Sequence, residues 1–64
     1  MTFTKTSNET WESNQKDTNY YIDLLISKEG YKIYYLTITR EGKTILNDIN
    51  FFKLNEAKKY AKQY

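Results

Sequence analysis

The sequence predicts an α+β domain: a small antiparallel β-meander of three strands, or four with a short N-terminal strand, and one C-terminal α-helix packed on a face of the sheet. Three observations carry that expectation. The runs over residues 20–27, 31–39 and 43–51 are rich in Tyr, Ile and Thr, side chains that sit well on a pleated, half-buried surface. The only two glycines, Gly30 and Gly42, fall between those runs, in Lys28-Glu29-Gly30 and Arg40-Glu41-Gly42. After Phe52 the apolar spacing lengthens from two to three and four, which is the period of a helix.

Taken in order, residues 1–19 read as a polar N-terminal arm or short edge strand ahead of a β-β-β-α domain over 20–64. The arm is rich in Thr, Asn and Ser and has no sustained period, yet it holds Phe3 and Trp11, for which a solvated tail has little use. Either Thr10-Trp11-Glu12 is a short edge strand or a strap that docks Trp11 on the sheet, or Trp11 is an exposed anchor for a partner, a role in which Trp is enriched.

The turns set the register of the three strands. A two-residue type I′ loop would force Glu29 and Glu41 to positive φ, whereas a three-residue loop needs positive φ only at the glycine. The three-residue form is expected at both turns, pairing Ser27 with Tyr31 and Thr39 with Lys43, so that residues of one parity share a face. The even face then carries Tyr20, Ile22, Leu24, Ile26, Tyr34, Leu36, Ile38, Leu46 and Phe52, with Lys32, Arg40, Asp48 and Asn50 at its margins. The odd face carries Tyr21, Leu25, Tyr31, Ile33, Tyr35, Ile45, Ile49 and Phe51, broken by Asp23 and Asn47. Neither face is cleanly polar, so something beyond one short helix should cover part of the second.

Leu54, Ala57, Tyr60, Ala61 and Tyr64 form one stripe of an amphipathic helix, with Lys58, Lys59 and Lys62 on its opposite side. A helix of this length is unstable alone, so the stripe must pack on the sheet, and Ala57 and Ala61 permit a close approach. The segment Phe51-Phe52-Lys53-Leu54-Asn55-Glu56-Ala57-Lys58-Lys59-Tyr60-Ala61 resembles a tail of small β-β-β-α domains, F-x-[ST]-L-x-E-A-x-x-x-A. Domains with that tail include the N-terminal arm-site DNA-binding modules of phage and transposon integrases and small phage proteins of varied role. The resemblance implies the β-β-β-α topology. Lys53 departs from the pattern, standing where Ser or Thr would cap the helix, which leaves the start uncapped or shifts it to Asn55.

At 64 residues, with neither Cys nor His, the chain must be held by its own core, and a second copy or a partner would add needed buried area. Missing His and Cys remove the commonest general base, the thiol nucleophile and the commonest transition-metal ligands. No Gly-rich phosphate loop, calcium loop or nucleophile elbow is present. The expectation is a protein without catalytic, cofactor-binding or metal-binding residues. The first residues lack the pattern of a signal peptide and no run is long enough to span a membrane, so a cytoplasmic place in a bacterial host, away from membranes, is expected.

The expected role is non-catalytic binding of a protein partner by a phage or mobile-element protein, acting as an inhibitor or regulator of a host enzyme or defence system in the manner of an anti-CRISPR. The candidate contacts are Trp11, Tyr21, Tyr31, Tyr35 and Lys43, because aromatic side chains supply large contact area with a polar tip. The alternative is DNA or RNA binding, as in an integrase arm-site module or a transcriptional regulator, through Lys32, Arg40 and Asn50 of the sheet or Lys58, Lys59 and Lys62 of the helix. That sheet route requires the helix to cover the odd face. A homodimer that buries its spare face against itself is a third reading.

Overall fold

The computed structural model describes residues 1–64. Five strands, β1 (Thr4–Ser7), β2 (Thr10–Gln15), β3 (Thr18–Ile26), β4 (Lys32–Arg40) and β5 (Lys43–Phe51), form one antiparallel meander in chain order, followed by helix α1 (Leu54–Ala61). The sheet therefore has five strands where three or four were expected. The N-terminal arm supplies two of them, β1 and β2, which pair with each other and through β2 with β3. Their inward positions include Lys5 and Ser13 beside Trp11, so the alternating apolar pattern that marks a half-buried strand is absent there.

The β3–β4 turn has the expected three-residue form. Tyr31 accepts at its carbonyl from the Ser27 N–H at 2.8 Å, Gly30 has φ 90°, and Ile26 pairs with Lys32. The β4–β5 turn does not. Arg40 pairs with Lys43 across a two-residue loop in which Glu41 has φ 53° and Gly42 φ 79°, the signature of type I′. Its backbone twist matches that of the flanking strands, and the Glu41 N–H donates to the Asp17 carbonyl at 2.9 Å, tying this turn to the β2–β3 turn. Tertiary bonding thus outweighs the reluctance of glutamate.

Two irregularities follow between β4 and β5, around Ile38, where the pairing moves from Thr39–Thr44 to Ile38–Leu46 and then to Leu36–Ile49. They overturn much of the expected face assignment of β5. Ile49 and Phe51 lie on the face of Leu36 and Tyr34, while Thr44 and Asn50 lie with Thr39 and Tyr35 on the other. Asp48, at φ 53°, sits in the bulge, its N–H donating to Thr37 Oγ1 at 3.2 Å and its Oδ1 accepting from the same hydroxyl.

The helix covers the even face of β3 and β4. Tyr20, Ile22, Leu36 and Ile38 are fully buried there against Ala57 and Ala61, whose small side chains let the helix lie close on β4 and β5. Phe3 and Trp11 pack against that core, Phe3 edge-on to Tyr20 and Trp11 tilted against Tyr34 with ring centroids 5.9 Å apart. Lys53 is the N-cap residue in extended conformation and makes no side-chain cap bond. At the far end, Arg40 donates from Nε to Thr18 Oγ1 at 3.0 Å and from Nη2 to the Tyr64 carbonyl, pinning the helix terminus to the sheet. No helix is long and apolar enough to cross a membrane.

Candidate functional site: the open face of the sheet

With α1 on one face, the other is bare along its whole length. Pairing places Thr10, Glu12 and Asn14 of β2 there, with Asn19, Tyr21, Asp23 and Leu25 of β3. From β4 come Ile33, Tyr35, Thr37 and Thr39, and from β5 Thr44 and Asn50, with the bulged Asp48 held against Thr37. No lysine or arginine is among these residues. Lys5, Lys32, Arg40 and Lys43 pair on the helix side, Lys58 and Lys59 are on the helix itself, and Lys62 is its C-cap residue. The open face thus carries carboxylates without cations, while Lys16 and Lys28 stand in the turns at its two ends.

A shallow cleft of about 520 Å³ on this face is lined by Glu9, Thr10, Asp23, Leu24, Leu25, Tyr35 and Asp48. Tyr35 and Asp23 are direct cross-strand partners, which sets the phenol ring beside a carboxylate. Glu9 arrives from the β1–β2 turn, fixed by its carbonyl accepting from the Leu24 N–H at 2.8 Å. Asp23 accepts from the Thr10 hydroxyl at 3.3 Å, and farther along Glu12 accepts from Thr6 at 3.2 Å. Each of these two carboxylates thus has a neutral donor and no basic one among its hydrogen bonds, and the outward oxygens are free to meet a cation.

The residues singled out in the sequence divide between the two sides. Tyr21 and Tyr35 are half-buried on the open face, and Tyr31 stands exposed at the β3–β4 turn. Trp11 is on the helix side, packed on Tyr34 with the Lys5 ammonium 5.6 Å from its ring centre, so it serves the core. Lys43 also falls on the helix side, opposite Arg40, because the two-residue turn reverses its expected face. Lys32 and Arg40 share that side, with Arg40 engaged by Thr18 and Tyr64, whereas Asn50 is opposite Tyr35 on the open face.

The sequence alone puts Asp48 at the margin of the even face and gives Glu9 no role; the bulge and the β1–β2 turn bring both to the Tyr35 cleft. The aspartate's preference for left-handed and bulged backbone was the one available signal for Asp48.

On the helix side, Lys58, Lys59 and Lys62 border a second cleft with Met1, Thr2, Phe3 and Asn55. Tyr60 stacks obliquely between Phe51 and Tyr64, and its hydroxyl shares a 3.3 Å hydrogen bond with that of Tyr64. This bond, aided by partial desolvation, raises the Tyr64 phenol above its ordinary pKa of 10.0. No family model, curated protein or solved structure matches the chain.

Proposed function

We propose that the protein is a non-catalytic binding module whose open sheet face docks on a basic surface of a protein partner. The single observation that carries this reading is a bare face with Tyr21 and Tyr35 at its centre, carboxylates at Glu9, Glu12, Asp23 and Asp48, and no cation. Aromatic side chains ringed by polar groups are the usual composition of an interface centre, and complementary charge steers the encounter. Basic surfaces of the required kind are common on enzymes that hold nucleic acid, because they neutralise phosphates. An inhibitor or regulator of a host nucleic-acid enzyme or defence system, carried by a phage or mobile element, is the biological role that fits. The small size of the chain and its composition, weighted to Lys, Asn, Ile and Tyr, support that origin.

Symmetric pairing of two open faces is disfavoured, since it would set carboxylate against carboxylate. Direct reading of DNA by this face meets the same repulsion. A second reading, phosphate binding by Lys58, Lys59 and Lys62, rests on their sharing one cleft.

Affinity capture from fractionated bacterial lysate tests the choice, with the wild type and the variants Asp23→Lys, Tyr35→Ala and Lys58→Ala/Lys62→Ala as bait. The expected prey is a basic protein that elutes with salt, is lost with Asp23→Lys and Tyr35→Ala, and is kept by the lysine variant. Capture that follows the lysines instead, or salt-sensitive comigration with a short DNA duplex, overturns it.

A further inference from the structure

The β3–β4 hairpin runs past both of its neighbours. On one side the last sheet contact is the Glu9 carbonyl at Leu24, and on the other it is the Tyr34–Phe51 pair. Residues 25–33 therefore stand as a bare two-stranded end on a molecule 37 Å long and less than 20 Å across. This end exposes apolar side chains beside the charged Lys28, Glu29 and Lys32: Leu25 is 55% exposed, Ile26 60% and Tyr31 64%, and Phe52, just beyond β5, is 74% exposed. Leu25 and Ile33 are cross-strand partners on the open face, and Leu25 also lines the cleft that holds Asp23 and Asp48. Apolar surface and carboxylates are thus continuous.

Resting on the docking role proposed above, we infer that this hairpin end is the apolar half of the same site, and that the partner segment is an amphipathic basic one, with a row of aliphatic side chains beside a row of lysines or arginines. The aliphatic row seats on Leu25 and Ile33, and the cations reach Asp23, Asp48 and Glu9. Charge selects this occupant over two others. A second copy that set its open face against this one would bring its own carboxylates against these, and an anionic bilayer, though drawn to Lys28 and Lys32 of the hairpin end itself, would be repelled by Asp23, Asp48 and Glu9 and by Glu29 between the two lysines.

Two designed peptides of equal length and lysine content decide the matter, one carrying leucines at helical spacing opposite its lysines and the other serines in their place. Amide shift mapping and titration are run on the wild type and on Leu25→Ser and Phe52→Ser, whose exposed positions leave the fold intact by circular dichroism. The leucine peptide is expected to bind at least about tenfold tighter than the serine peptide, to shift Leu25, Ile33, Asp23 and Asp48 together, and to lose that advantage in Leu25→Ser. Equal binding of both peptides, with shifts confined to the carboxylates and tyrosines, overturns the inference and leaves the docking face standing. Shifts absent from the whole open face overturn both. Self-association through Leu25, or cosedimentation with phosphatidylglycerol vesicles, assigns the hairpin end to a different occupant and likewise overturns the inference.

Discussion

Glu41 is held at φ 53° in a two-residue turn whose first central position favours Asn, Asp or Gly. Left-handed backbone costs a residue with a long side chain about 1 kcal/mol, and asparagine recovers part of that through its short polar group. Glu41→Asn should therefore stabilise the domain by roughly 0.5–1 kcal/mol, read as a higher urea midpoint at unchanged slope. A lower midpoint would mean that the glutamate side chain makes a contact that offsets the strain. The same residue marks where sequence reasoning fell short. Glutamate disfavours positive φ, which argued for a three-residue loop, and the competing terms were the twist match of a type I′ turn and the bond to Asp17, a partner 24 positions away in the chain. Asp48 shows the same limit, because a bulge moves one side chain across the sheet without leaving a mark in the apolar alternation of β5.

At the scale of elements, what was legible followed from periodicity. The helix, β3 and β4 each carry a strong apolar period, and the even-face residues Tyr20, Ile22, Leu36 and Ile38 are indeed the buried ones. β1 and β2 were not legible as a pair because the inward side of β2 is one tryptophan and the small buried Ser13. The departure of Lys53 from the capped pattern was readable directly, and the helix does start without a side-chain cap. Lys53 already has the extended backbone of an N-cap, so a hydroxyl there can accept from the N–H of the first turn without rearrangement. Lys53→Ser is expected to add about 1 kcal/mol of stability, measured by thermal and urea unfolding, and to slow amide exchange in the first helical turn. No gain in either would show that water already satisfies those donors as well as serine does.

For the whole molecule, a small core and a large bare face belong together. Six apolar residues make up the fully buried core, and one eight-residue helix covers only part of one side of a five-stranded sheet. A chain of this size keeps little stability in reserve, so any ligand that binds the folded form alone should raise its melting temperature strongly. At a free partner concentration of about 100 times Kd the gain is ~2.7 kcal/mol, and for a domain near this size each kcal/mol moves the midpoint by about 4–8 °C. Saturation with a basic partner at the open face is accordingly expected to shift melting upward by roughly 10–20 °C, with the shift falling as salt rises. The protein alone should melt at a temperature independent of its concentration, since two open faces brought together repel each other. A midpoint that climbs with protein concentration in the absence of partner would instead mean that the bare face is buried against a second chain, and the charge argument for a basic partner would fall with it.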